Sequence, residues 1–404
     1  MHISRFQIHN YKSFLESTAL SFTPGFNVIS GQNNAGKTAF LEALGLRFEV
    51  RPHRRLKTVA ARDTVPEQRS WADVSFTLSA GELREFMLSA PQPYLVFKPS
   101  LTSAFAQKIR FIDDSADSVR RLLDAIFSER ELTFKLRAQA TPGGGFGWPP
   151  VEIPSYGLYP PQGPVNAWNA AQFTMRAGGE FEIAGALIQS PSDFGQQLAG
   201  VFQKHVYRFS AERLKVGKSA HGVSALLNQD ASNLPEVLNQ LQHNPSRFRD
   251  LNEHLSAILP QIKHVSVRAI GAGQVEVVVW PHDPESRRED LALPLGESGT
   301  GIGQVLAILY VVLTSERPQV IIIDEPQSFL HPGAARKLIE FLKLYPQHQY
   351  IIATHSATII SAAGPTTILV ARYEDCDTTL EQLDAEAERS VQAVLNELGV
   401  RLSD

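Results

Sequence analysis

Eight consecutive residues carry the clearest chemistry in this chain: Gly31-Gln-Asn33-Asn34-Ala35-Gly36-Lys37-Thr38. They fill the pattern of a glycine, four free positions, then Gly-Lys-Ser/Thr, which builds a phosphate cradle. The glycines let backbone N–H groups approach phosphate oxygens, and the helix that starts there adds the positive end of its dipole. Lys37 then supplies a point charge for the β- and γ-phosphates of ATP, and the Thr38 hydroxyl a ligand for Mg²⁺.

Three further segments could act on the same phosphates. In Val320-Ile-Ile-Ile-Asp324-Glu325-Pro326 a β-branched run ends in two carboxylates. The run predicts a strand buried on both faces. At its end Asp324 can hold Mg²⁺ through water and Glu325 can polarise the attacking water, although acids at a strand end also cap helices. Thr354-His355-Ser356 ends the next apolar run, with His355 30 residues after Glu325. A histidine at the carboxyl end of a strand in an α/β sheet faces the ligand crevice, where it can contact the γ-phosphate. The fourth segment, Gly296-Glu-Ser298-Gly299-Thr300-Gly301-Ile-Gly303-Gln304, precedes an apolar helix. Ser298, Gly299 and Gly301 offer a hydroxyl and close-approach backbone at another helix start, a second anion site. Two such starts in one chain point to a nucleotide shared between two copies.

These residues need elements to hold them. Phe26-Asn-Val-Ile29 predicts a strand before the phosphate loop, and Phe40, Leu41 and Leu44 predict a helix after it. Val320–Ile323 and Tyr350–Ala353 read as parallel strands joined by a helix over Ala334–Leu344, a βαβ unit. Ile302–Leu313 reads as an apolar helix, and Leu234–Leu259 as helical segments. Val265–Arg268 and Gln274–Val279 read as a hairpin across Gly271-Ala-Gly273. Trp71–Leu78 alternates as a half-buried antiparallel strand does. Residues 141–164 contain seven prolines, which excludes a regular helix and predicts a long surface loop. Trp148, Tyr156, Tyr159 and Trp168 in and beside that loop would suit an arm that docks a partner. Val391, Val394, Leu395 and Leu398 share a helical face near the chain's end.

Composition sets the outer limits. The 404 residues are 43% hydrophobic and 20% charged, ordinary globular usage that excludes disorder as the main state. Cys376 is the single cysteine, so there is no disulfide framework and no cysteine-based zinc site. The formal net charge of −4 argues against a generally basic nucleic-acid binder, though not against a local basic groove. The N-terminus lacks a signal-like apolar core, and no apolar run is long enough to span a membrane. The expectation is a soluble cytoplasmic protein without a membrane partner.

Taken together, the four segments resemble ABC-type ATPases of the RecF/SMC-like branch. They look most like the OLD-type and AAA_21-type ATPases of bacterial anti-phage defence and genome maintenance. The resemblance extends to Asn10-Tyr-Lys-Ser-Phe14, Ala231-Ser-Asn233-Leu-Pro235 and Leu330-His331-Pro332. It implies a P-loop α/β ATPase head with a mixed sheet, an antiparallel N-terminal lobe and an insert. Residues 1–84 and 201–370 would form the head, 85–200 the insert and 371–404 a helical tail. It further implies that Ser298–Gly301 caps ATP bound by an opposing subunit. Partners would be a homodimer or larger homo-oligomer joined through shared ATP sites, a separate effector of nuclease or Toprim type, and DNA. The signature departs from the usual form, His331 stands where transporters carry aspartate, and Gln68 is a weak candidate for the Q-loop glutamine. The absence of a long heptad insert excludes a rod-bearing protein. No carboxylate cluster outside the ATP site suggests a nuclease in its own right.

Two basic sets bear on DNA. Arg51, Arg54, Arg55 and Lys57 follow the P-loop helix, and Lys204, Arg208, Arg213, Lys215 and Lys218 follow the proline-rich segment. Such strips can track a phosphate backbone, or serve as a solvated face or an intersubunit salt-bridge surface. Arg213 can also sit near the nucleotide, and no base-reading motif is present. On the DNA reading, reversing the charge of Arg54 and Arg55 weakens binding in a low-salt mobility-shift assay, and the wild-type affinity drops steeply with salt. Equal retention of wild type and variant removes that reading.

Overall fold

The computed structural model describes residues 1–46, 70–89, 93–113, 115–140, 146–147, 153, 158, 170–176, 178–184, 194–210, 217–286 and 288–384. The basic cluster at 51–57, Gln68, Trp148, Tyr156, Tyr159, Trp168, Arg213, Lys215 and the apolar stripe at 391–398 lie outside these residues. The chain forms two compact units, one of Met1–Phe22, Glu42–His205 and Tyr373–Thr379, the other of Thr23–Leu41, Val206–Arg372 and Leu380–Asp404.

The second unit carries all four chemical segments. Its main sheet runs in the order Val206–Phe209, Val320–Asp324, Gln349–Thr354, Gly25–Gly31, Thr367–Glu374, Asp377–Asp384. The first five strands are parallel neighbours. The β-branched run behaves as its composition predicts, because every residue of Val320–Asp324 is buried, as is every residue of Gln349–Thr354. Between these strands the helix Pro332–Leu342 returns the chain, with His331 as its N-cap accepting from the Gly333 N–H at 3.3 Å. Register then fixes the site. Asp324 lies opposite Ala353, Ala353 opposite Ile29, and Thr354 opposite Ser30. Thus the carboxylate strand, the histidine strand and the phosphate-loop strand end at one level of one sheet edge.

The helix Thr300–Thr314 has no polar face over most of its length; Val305 to Val312 are all buried. A helix apolar all round belongs inside a core, and here it joins Tyr207, Phe209, Ile321, Ile323, Leu338, Ile339 and Ile352 in one cluster. A second sheet of this unit contains the expected hairpin, His264–Ala269 against Gln274–Trp280, with Gly271 and Gly273 both at positive φ in its turn. Leu234–Leu241 and Pro245–Ile258 are the helical segments expected over 234–259.

The first unit is largely antiparallel. Ser70–Ser79 pairs with His2–Tyr11 on one side and Glu131–Ala140 on the other. Glu131–Ala140, inside the 85–200 span, therefore extends the N-terminal sheet residue for residue. Asp73 is buried and held by a bidentate Arg137 at 2.6 and 2.7 Å and by Lys135 at 3.2 Å. Ala116–Ser128 is the helix expected near 117–127, capped by Ser115 and burying Val119, Leu122, Leu123, Ile126 and Phe127. Tyr94–Phe97, Ala170–Met175 and Phe181–Ala184 form a further antiparallel sheet. No helix among the described residues is long and apolar enough to cross a membrane.

Ile352 lies in a strand flanked on both sides and is fully buried. Ile352→Ala is expected to cost about 2–5 kcal/mol, the usual range for emptying such a position. Urea denaturation checks this, and an unchanged midpoint would show that this strand does not carry the core.

Candidate functional site

The strand Gly25–Gly31 ends at a glycine that the sheet requires. A Cβ on Gly31 would stand 2.4 Å from the Ala371 carbonyl oxygen of the neighbouring strand. The loop that follows turns through Asn34 at φ 65° and Gly36 at φ 90°, both in the left-handed region. Asn33 and Asn34 are exposed, Ala35 is buried, and the helix Lys37–Leu44 begins at the lysine. The Lys37 ammonium is buried at 5% exposure. It donates to the Gly31 carbonyl at 2.9 Å and the Gln32 carbonyl at 3.0 Å, and pairs with Glu325 Oε1 at 3.1 Å.

Thr38 Oγ1 donates to Asp324 Oδ2 at 2.8 Å, joining residues 286 positions apart. Asp324 is 1% exposed, and its other oxygen, Oδ1, is buried with no hydrogen-bond partner among the described residues. Burial pushes its pKa up; the Thr38 hydrogen bond and the charges of Arg208 and Lys37 oppose that shift, while Glu325 adds to it. A buried carboxylate oxygen without a donor is costly unless something positive meets it. A hydroxyl beside a carboxylate is the hard-oxygen donor set that Mg²⁺ takes from proteins, its remaining positions going to water and phosphate. Thr38 and Asp324 therefore fit Mg²⁺. Among the described residues no group of three or more His, Cys, Asp or Glu side chains could hold a metal.

Glu325 has φ 49° and ψ 64°, left-handed for a residue with a side chain. Such a conformation costs about 1–3 kcal/mol and persists where the surroundings impose it. Here the Glu325 N–H donates to the Ala353 carbonyl at 2.8 Å, so the turn is tied to the adjacent strand. The carboxylate meets Lys37 with one oxygen, and His355 Nδ1 at 3.0 Å with the other. Gln327, which spacing did not mark, also donates to Glu325 Oε2. Thr354 Oγ1 in turn donates to Gln327 Oε1 at 3.0 Å.

Lys37, Thr38, Asp324, Glu325 and His355 are thus joined by direct contacts. Ser298, Gly299 and Gly301 stand at the start of the helix Thr300–Thr314, with contacts of their own. Ser298 Oγ donates to the Pro294 carbonyl at 3.1 Å. A Cβ on Gly301 would lie 2.1 Å from the Phe329 carbonyl oxygen, so packing alone explains that glycine. Gly299 has no atom within 4 Å of a built Cβ and caps the helix without a side chain. Gly299 and Gly301 also line an open groove of about 620 Å³ with Phe329, Leu330 and His331.

A family model described as "AAA domain, putative AbiEii toxin, Type IV TA system" matches residues 202–361, and one described as "AAA ATPase domain" matches residues 1–84. The chromosome partition protein Smc of Synechocystis sp. is 43% identical over 44 residues, a match spanning 11% of this chain and 4% of that protein. Among solved structures, an Smc head bound to the C-terminal winged-helix domain of ScpA aligns over 97% of this chain and 100% of its own, with TM-score 0.51 and 12% identity. An Smc head with an extended coiled coil, bound to a C-terminal domain of ScpA derived from Pyrococcus furiosus, covers 98% and 99%, with TM-score 0.49 and 10% identity. The fold is similar to that of an Smc head, and the two AAA family models cover the segments that build the site.

The desolvated charge of Asp324 leads to a measurable trade. A carboxyl whose folded pKa is raised costs stability in full above that folded value, and the cost fades as pH falls from the folded pKa to the unfolded one. Asp324→Asn removes the charge at neutral pH. It is expected to raise the melting temperature of the nucleotide-free protein and to abolish the Mg²⁺-dependent gain in ATP affinity. A variant that melts lower and still responds to Mg²⁺ contradicts this assignment.

Proposed function

We propose that the chain binds ATP with Mg²⁺ at the joined strand ends, hydrolyses it, and uses the cycle to gate a separate effector. The observation that carries this reading is the contact of Lys37 and Thr38 with Glu325 and Asp324. It brings the cradle and the acids, far apart in sequence, into one group. In this reading the backbone of Asn33–Thr38 and the Lys37 ammonium hold the phosphates, and Thr38 and Asp324 hold Mg²⁺. When bound, Mg²⁺ neutralises charge on the phosphate oxygens. Glu325 accepts a proton from water as that water attacks the γ-phosphorus, and His355 senses the γ-phosphate. The role given to Glu325 is general-base catalysis, typically worth about 10²–10⁴-fold.

Ser298, Gly299 and Gly301 are assigned to ATP held by a second copy, which makes the working unit a homodimer or higher homo-oligomer in the cytoplasm. The AAA model whose description names a toxin of a toxin–antitoxin system supports a defence setting, with a nuclease or Toprim-type protein as effector. A second reading, a RecF-like genome-maintenance ATPase that acts on DNA, is favoured by the Smc match and the Smc-head fold.

Two sets of variants test the proposal. Glu325→Gln keeps ATP binding and loses all but a residual turnover, since an amide cannot accept the proton; hydrolysis at the wild-type rate excludes Glu325 as base. Lys37→Ala and Ser298→Arg chains are each inactive alone. Mixed as heterodimers, they recover part of the ATPase activity, because one composite site carries both lesions and the other neither. No recovery in proven heterodimers contradicts independent shared sites.

A further inference from the structure

We propose that Gln327 is a positioning residue for Glu325, holding the carboxylate in the orientation that hydrolysis requires. This rests on the reading of Glu325 as the base. The amide occupies the gap between two groups with opposite needs. On one side Glu325 Oε2 is an acceptor, and Gln327 Nε2 donates to it. On the other side the Thr354 hydroxyl donates to Gln327 Oε1 at 3.0 Å. That hydroxyl is itself oriented, because it accepts from the Ser356 N–H at 3.0 Å. Thr354 is fully buried at the end of its strand, so the anchor is rigid.

The amide's direction is set by chemistry. Turned over, it would present its oxygen to a carboxylate, leaving two acceptors in contact. The observed sense satisfies every donor and acceptor in the chain from Ser356 N–H through Thr354 and Gln327 to Glu325. The same Nε2 lies 3.4 Å from His355 Nδ1, and His355 Nδ1 lies 3.0 Å from Glu325 Oε2. One oxygen of Glu325 is therefore gripped by Gln327 and His355, while the other faces Lys37 at 3.1 Å. Rotation of the carboxylate about its own axis would break both sets. A methionine at 327 fills a similar volume but supplies neither bond. The link also ties the Glu325 turn to the loop that carries His355, so the proposed base and the proposed sensor move as one.

Positional errors of about 1 Å in a catalytic group cost up to ~10²-fold in rate. Gln327→Met is expected to lower kcat by about 10–10²-fold while leaving KM for ATP, the ATP Kd and the melting temperature unchanged. Thr354→Val, which removes the anchor, lowers kcat in the same direction, and the Gln327→Met/Thr354→Val double variant is no slower than Gln327→Met alone. The decisive arm is Gln327→Met in a Glu325→Gln background. If Gln327 acts through Glu325, the residual rate of Glu325→Gln does not fall further.

Wild-type kcat for Gln327→Met, with Glu325→Gln reduced to its residual rate, overturns the positioning role and leaves the base assignment standing. Wild-type turnover for Glu325→Gln removes the base assignment and this role with it. A lowered melting temperature together with weakened ATP binding, or a further loss in the Glu325→Gln background, shows that Gln327 holds the fold instead.

Discussion

The hydrogen bond from Thr38 to Asp324 is the constraint on which the site depends. It closes a loop of sequence that includes most of the chain, and it does so at a buried carboxylate. Burying that carboxylate has a cost: burial pushes its pKa up, and its Oδ1 has no donor among the described residues. Proteins keep such strained charges where a ligand relieves them. Lys37 offsets part of the cost through the acid next in sequence, and its own buried ammonium is satisfied by the Gly31 and Gln32 carbonyls. The group is thus two carboxylates, an ammonium and a hydroxyl brought together at the ends of parallel strands.

The sheet does this by register. Because Asp324, Ala353 and Ile29 lie side by side, the three loops that follow leave the same edge together. Gly31 marks how closely those strands pack, with the Ala371 carbonyl in the space a side chain would need. Glu325 pays for its place with a left-handed backbone, held by the Ala353 carbonyl on one side and by Gln327 and His355 on the side chain. Stiffness in the strands therefore becomes orientation at the carboxylate, the property that general-base chemistry uses.

The elements that position the site were legible because their signals are local. A β-branched run has one burial pattern, and the spacing of Gly31, Gly36 and Lys37 has one loop. Gln327 and Thr354 were not legible. A glutamine two residues after an acid has no spacing signal, and its role arises only when a neighbouring strand brings a hydroxyl to its oxygen. Gly301 has a second reason to be glycine that its place in a glycine-rich segment could not reveal, because the Phe329 carbonyl leaves no room for a side chain there. At Gly299 no atom of the described residues imposes such a limit. The pairing of Glu131–Ala140 with Ser70–Ser79 was hidden because long-range antiparallel contacts leave no periodic mark that names the partner strand.

The assignment of Mg²⁺ to Thr38 and Asp324 is tested by calorimetric titration of ATP into the protein, with and without Mg²⁺, in wild type and Thr38→Ala. The expected result is one ATP per chain, an affinity in the wild type that Mg²⁺ strengthens, and a Thr38→Ala variant that binds ATP equally with or without the ion. Wild-type affinity that is indifferent to Mg²⁺, or a Thr38→Ala variant that keeps the full Mg²⁺ effect, would contradict it.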